Sequence, residues 1–160
     1  MRNKLFKIAP LIVGFLLVIM MCLLNKKYGV NYRHFGGYEN ILESMVNFLS
    51  IVIGFYSAFY GMIISMYKSK FMQELLKSKY RNELPLLLVF SLISAFACLI
   101  LTIVMQSLIT YKLEITNLLY YIWFLLVGIF VTYAFQTSLL SIAMIFESNP
   151  QKKQKKDVKL

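Results

Sequence analysis

The stretch PLLLVFSLISAFACLILTIVMQSLI, residues 85–109, contains no Asp, Glu, Lys, Arg or His. A helix of about 20 apolar residues, rising ~1.5 Å per residue, spans the ~30 Å hydrocarbon core of a bilayer. Three further uncharged blocks occupy 8–24, 45–67 and 118–146. The chain is 59% hydrophobic, above the ~45–50% of a typical soluble domain. The pattern predicts an all-α integral membrane protein with four transmembrane helices in a single membrane domain, 1–160.

The distribution of basic residues predicts the orientation of these helices, because Lys and Arg are retained on the cytoplasmic side of a membrane. Thirteen of the 17 basic residues lie in the amino tail, in segment 68–84 and in the tail 149–160. We therefore expect both termini in the cytoplasm and 25–44 as an outer loop, whose last residues, 39–44, begin the second helix outside the hydrocarbon. The first block lacks a small-x-small cleavage site, so we expect a retained helix rather than a signal peptide. The excess of Lys over Arg suggests an AT-rich bacterial genome, and hence a multi-pass protein of the bacterial cytoplasmic (inner) membrane.

The basic cytoplasmic segments are candidate sites for anionic lipid or an anionic ligand. Segment 68–84 is amphipathic and is predicted to extend helix two into the cytoplasm or to lie on the inner leaflet. The tail 149–160 is predicted to be disordered. Topology and lipid attraction explain most of this charge, and the alternatives are a polyanionic ligand or a cytoplasmic partner protein. The candidate residues are Lys68, Lys70, Lys77, Lys79, Arg81, Lys152, Lys153, Lys155 and Lys156.

The second block carries small or weakly polar residues at steps of three and four, which places them on one face of a helix. Such a face allows close approach between helices. Alternatively, it lines a water-filled path between subunits. We call these residues the small face; they are Asn47, Ser50, Gly54, Ser57, Ala58, Gly61 and Ser65.

A weaker polar stripe runs along helices three and four. Burying Ser and Thr in lipid costs little free energy, because their hydroxyl groups hydrogen-bond to backbone carbonyls of their own helix. The two glutamines should each find a partner across a helix interface, worth ~0.6–2 kcal/mol. We expect this stripe to serve packing first and pore lining second. Its residues are Ser94, Cys98, Thr102, Gln106, Gly128, Thr132 and Gln136.

The chain lacks the residue patterns of catalysis and of coupled transport. It has no zinc motif, no P-loop and no nucleophile beside a candidate base. Its apolar blocks contain no carboxylate or histidine, which argues against proton-coupled exporters. We therefore expect no enzyme activity, no catalytic residues, no metal site and no cofactor.

Four helices in one copy enclose little space, so function is expected to require the lipid bilayer and further copies of the chain. The first hypothesis is a homo-oligomeric channel or membrane-disrupting effector, gated by a cytoplasmic ligand or partner. The alternative is a non-conducting interaction protein, either a bacteriocin immunity protein or a membrane anchor that recruits a cytoplasmic partner.

The layout of four spans, both ends inside and basic cytoplasmic segments resembles a known class of proteins. It is similar to the small four-helix membrane subunits of bacterial anti-phage defence systems such as Kiwa and Hailong. The resemblance implies a role in sensing infection or in killing the infected cell by membrane leakage, together with a separately encoded partner protein.

Overall fold

The computed structural model describes residues 2–29, 36–65, 83–111 and 114–147. Within these ranges the chain is helical except at Gly29, Gly36 and Gly37, and it contains no strand. The helices are α1 (Arg2–Tyr28), α2 (Tyr38–Ser65), α3 (Glu83–Leu108), a 3-10 turn (Ile109–Tyr111) and α4 (Glu114–Glu147).

Each of the four α-helices contains a stretch long and apolar enough to cross a membrane. These stretches are Phe6–Tyr28, Tyr38–Met62, Pro85–Tyr111 and Glu114–Ile142. The predicted all-helical class and its four apolar helices are therefore confirmed, and they indicate a multi-pass membrane protein. The predicted extension of helix two through 68–84 and the disordered tail 149–160 lie outside the described residues.

Two glycines set the helix ends around the first connection. Gly29 has φ +65, and its N–H donates to the carbonyl of Asn25 at 2.9 Å, which closes α1 with a left-handed cap. Gly37 has φ +88, and its carbonyl accepts from the N–H of Ile41 at 3.2 Å as α2 begins. The helices consequently run past the apolar blocks, and the connection is shorter than the expected loop 25–44. Apolar composition marks the part of a helix suited to hydrocarbon, whereas capping decides where the helix ends.

The helices are arranged around an antiparallel central pair. α3 and α4 pack together, α1 packs against α4, and α2 packs against α3. We call the end where α1 finishes and α2 begins the upper end, and the end where α1 begins and α4 finishes the lower end. The flanking helices α1 and α2 each bury one narrow face, while most of their remaining surface is exposed.

The core consists of three clusters stacked along the bundle. The upper cluster combines residues from all four helices, and the middle and lower clusters combine α2, α3 and α4. Outside these clusters, large apolar side chains such as Phe15 and Ile19 are 58% and 59% exposed, as expected where the surrounding solvent is lipid. The clusters contain Met21, Tyr38, Leu42, Met105, Tyr120 and Trp123 above, Leu49, Ala95, Cys98 and Phe130 in the middle, and Tyr56, Leu87, Leu88 and Leu140 below.

Candidate functional site

The small face of α2 points away from the other described helices. α2 packs onto the core through Leu42, Leu49 and Tyr56, which recur every seven residues. Gly54 follows Leu49 by five residues and therefore lies roughly 140° around the helix. All seven residues of the small face are exposed: Asn47, Ser50, Gly54, Ser57, Ala58, Gly61 and Ser65. The small face therefore takes no part in the packing of the four described helices.

The small face has open space at its glycines, and the hydroxyl groups of two of its serines are hydrogen-bonded within α2. A Cβ atom at Gly54 or Gly61 would meet no atom within 4 Å. The hydroxyls of Ser50 and Ser57 donate to the carbonyls one turn earlier, those of Val46 and Ile53, each at 2.8 Å. These bonds satisfy the hydroxyl protons within α2 itself, so the face can approach another helix closely.

Asn47 is the polar exception on this face. Its side chain is exposed and makes no hydrogen bond to any described residue. It is the tenth of the 25 residues in the apolar stretch Tyr38–Met62. An amide without a hydrogen-bond partner is costly in apolar surroundings, so Asn47 needs a partner that the described part of the chain does not supply.

The small face continues toward the upper end beyond the residues that the sequence singled out. Asn40 and Glu43 precede Asn47 and Ser50 by seven residues and are likewise exposed. Their spacing is the signal that could have found them. They were missed because the small face was sought only inside the uncharged block 45–67. With them, the face gains a carboxylate at its upper end.

The polar stripe of α3 and α4 has a different position. Most of its residues lie between helices of the same copy, so they contribute to the packing of the chain and are not available to a neighbouring molecule. Buried in this way are Ser94, Cys98, Thr102, Gly128 and Gln136, whereas Gln106 and Thr132 are half-buried.

Two glycines mark the contact between α1 and α4. A Cβ atom at Gly128 would lie 2.7 Å from the Cα of Gly14, and one at Gly14 would lie 2.9 Å from the carbonyl oxygen of Leu125. The two backbones therefore touch at this crossing, a geometry that small residues permit between helices in lipid. Gly14 was not singled out from the sequence, because it has no small residue four positions away on α1.

Of the two glutamines expected to bond across a helix interface, Gln136 does so. Gln136 donates from Nε2 to the backbone carbonyl of Phe6 on α1, at 2.7 Å. Gln106 makes no hydrogen bond to any described residue. At the upper end, Asn25 donates from Nδ2 to the hydroxyl of Tyr121 at 2.9 Å, a second polar link between α1 and α4.

A buried chain of hydrogen bonds joins α3 to α4 beside the upper cluster. The indole N–H of Trp123 donates to Oγ1 of Thr102 at 2.9 Å, and that hydroxyl donates to the carbonyl of Cys98 at 2.6 Å. Because the hydroxyl is both donor and acceptor, it serves both helices at once. Thr102 has this function in addition to filling space in the core.

Thr102→Val is expected to lower the free energy of unfolding by about 1 kcal/mol, because it leaves the buried indole N–H of Trp123 without an acceptor. The matched control is Thr132→Val, since among the described residues the Thr132 hydroxyl bonds only the carbonyl of Gly128 on its own helix. Unfolding in mixed micelles would measure both variants. Equal losses in the two would contradict a specific role for Thr102.

The basic candidate residues of 68–84 and 149–160 lie outside the described part of the chain, so the expected anionic-ligand site stays a prediction. Both cysteines, Cys22 and Cys98, are free thiols, the first exposed and the second buried. Comparison with protein families, with curated proteins and with solved structures found no match to this chain.

Proposed function

We propose that the chain assembles into a homo-oligomeric membrane channel or membrane-disrupting effector, with the small face of α2 buried between copies. The observation that supports the proposal is that this whole face is exposed in a single copy, although it is the least suited to lipid. Along it lie Asn47, which has no hydrogen-bond partner among the described residues, and the open glycines at positions 54 and 61.

The contrast with α1 strengthens the proposal. The exposed side of α1 carries large side chains, such as Phe15, Leu16 and Ile19, which fill space against lipid tails. Association of helices in lipid gains little from the hydrophobic effect and depends on close packing and hydrogen bonds. The small face of α2 offers both, through its glycines and through Asn47.

A conducting state requires the same residues in a second role. When neighbouring copies move apart, the exposed hydroxyls and the amide of Asn47 would line a polar path, as in pores with hydrogen-bonding walls. In this proposal both termini are cytoplasmic, and an anionic ligand or partner protein at the basic segments 68–84 and 149–160 controls the movement. The resemblance to anti-phage membrane subunits extends the proposal to leakage that is triggered by infection.

Ion flux from liposomes containing the purified chain tests the proposal. Gly54→Leu and Gly61→Leu are expected to abolish flux, because a leucine on the small face prevents close association of copies. A single copy should tolerate both changes, since nothing lies within 4 Å of either Cβ position. Phe55→Leu is the matched control, because Phe55 is exposed on α2 beside the small face. It should conduct like the wild type.

Two results would contradict the channel. One is flux that both glycine variants retain in full. The other is silence of the wild type with anionic lipid, with polyanionic ligands and with its cytoplasmic partner protein, which would favour the non-conducting interaction protein.

A further inference from the structure

We infer that neighbouring copies associate head to tail, with the small face of α2 in one copy packed against the exposed face of α1 in the next. The inference rests on the proposed homo-oligomer and specifies its interface. The occupant of the small face is thus a second copy of this chain. Two features of the exposed faces support the inference: their charges are opposite, and large side chains on α1 face small residues on α2.

The two faces carry opposite charges at the same end of the bundle. Lys26 is exposed in the last turn of α1, and Glu43 is exposed in the second turn of α2. Both lie at the upper end, and neither forms an ion pair with a described residue. Contact of α1 in one copy with α2 in the next pairs these charges. A symmetric contact between the α2 helices of two copies would instead bring the two Glu43 carboxylates together. Like charges oppose that alternative.

Lys26 belongs to the face of α1 that lies opposite its buried side. α1 packs on α4 through Pro10, Gly14 and Met21. The outward face follows the helical repeat of 3.6 residues and lies about 100–160° around the helix from Gly14. Its large residues, each about half exposed, are Ile8, Ile12, Phe15 and Ile19.

Pairing Lys26 with Glu43 fixes the register of the two antiparallel helices. Both helices rise ~1.5 Å per residue, so residues equally far from the charged pair lie at the same depth. Each large residue of α1 then meets a small residue of α2, and both glycines of the small face receive a large side chain. The pairs are Ile19 with Ser50, Phe15 with Gly54, Ile12 with Ser57 and Ile8 with Gly61.

The same register gives Asn47 polar surroundings. It places the amide at the depth of Cys22, whose thiol is exposed and free, and one turn from the Lys26–Glu43 pair. An interface of this kind uses different surfaces on the two copies. It therefore closes into a ring when the rotation between copies allows it.

Disulfide cross-linking of the full-length chain in membranes tests the register. One copy carries Phe15→Cys and a differently tagged copy carries Gly54→Cys, both in a Cys22→Ala background. Cα atoms must come within roughly 4.4–6.8 Å to form a disulfide. After mild oxidation we expect a cross-linked pair containing both tags. Phe15→Cys with Gly61→Cys is the off-register control, since the shift of seven residues is about 10 Å along the helix.

The charged pair provides a second measurement. Glu43→Lys in the copy that carries Gly54→Cys is expected to reduce the yield of the Phe15–Gly54 cross-link by about 1.4- to fivefold, the range for an exposed ion pair. Lys26→Glu in the copy that carries Phe15→Cys should restore it, because that copy supplies the residue 26 that faces residue 43 of its neighbour. Rescue by the exchanged charges would not follow from a purely structural effect of either substitution.

Three results overturn the head-to-tail interface: cross-linking of Gly54→Cys to itself, equal yields for the in-register and off-register pairs, and no mixed-tag product. These outcomes are separate from those of the flux experiment. Flux without the mixed-tag product would leave the channel standing with a different interface. The mixed-tag product in a membrane that never conducts would leave the interface standing without the channel.

Discussion

Gly128→Ala is expected to lower the free energy of unfolding by about 1–3 kcal/mol, the usual cost of adding atoms to a filled contact. The new Cβ atom would lie 2.7 Å from the Cα of Gly14 and 3.0 Å from Cδ1 of Leu17. A side-chain tip can turn aside, but a helix backbone cannot, so α1 must move away from α4. Alanine is the better helix former by about 1 kcal/mol. A net loss would therefore show that the backbone contact outweighs helix propensity.

Gly54→Ala is the matched control for this prediction. It is the same substitution inside a helix, but no atom lies within 4 Å of its Cβ position. With copies separated in excess detergent, it should be neutral or stabilising by up to about 1 kcal/mol. The fluorescence of Trp123, the single tryptophan, can follow unfolding because the ring is buried in the upper cluster. Equal effects of the two substitutions would contradict the close crossing.

The four helices were predictable because lipid imposes a simple requirement on sequence. A run such as 85–109, with no ionisable residue, has few alternatives to an apolar helix. The ends were less predictable, since Gly29 and Gly37 act through backbone conformation rather than through hydrophobicity. α1 consequently continues through Lys26 and Lys27, which suit the last turn of a helix.

The small face was visible in the sequence as a spacing, but its direction was not. Both Phe48 and Leu49 are large and apolar, yet Leu49 is fully buried and Phe48 is half exposed. Which of them faces the core depends on where α3 lies, and that is a property of the folded chain. The same reason hid the pairing of Gly14 with Gly128. Contacts between the first and last helices leave no local pattern.

Gln136 is expected to stabilise the fold because of a proline on another helix. Pro10 has no N–H, so the carbonyl of Phe6, four residues earlier, lacks its usual donor within α1. Pro10 is fully buried, and water cannot readily take the place of the missing donor. Gln136 supplies the bond from α4 with an Nε2 to oxygen distance of 2.7 Å. Gln136 on α4 thus supplies the hydrogen-bond donor that the backbone of α1 lacks at this position.

Gln136→Leu is accordingly expected to lower the free energy of unfolding by about 1–2 kcal/mol, because the carbonyl of Phe6 is left without a donor. In a Pro10→Ala background the restored N–H of residue 10 can bond that carbonyl, so the same substitution should cost much less. In that background Gln136→Leu can even be neutral. Oε1 of Gln136 is buried without a hydrogen-bond partner among the described residues, so its removal breaks no hydrogen bond to them. A double-mutant cycle measures the difference as a coupling energy. Equal costs in the two backgrounds would show that Gln136 acts through packing alone, because only the link to Pro10 makes its effect depend on residue 10.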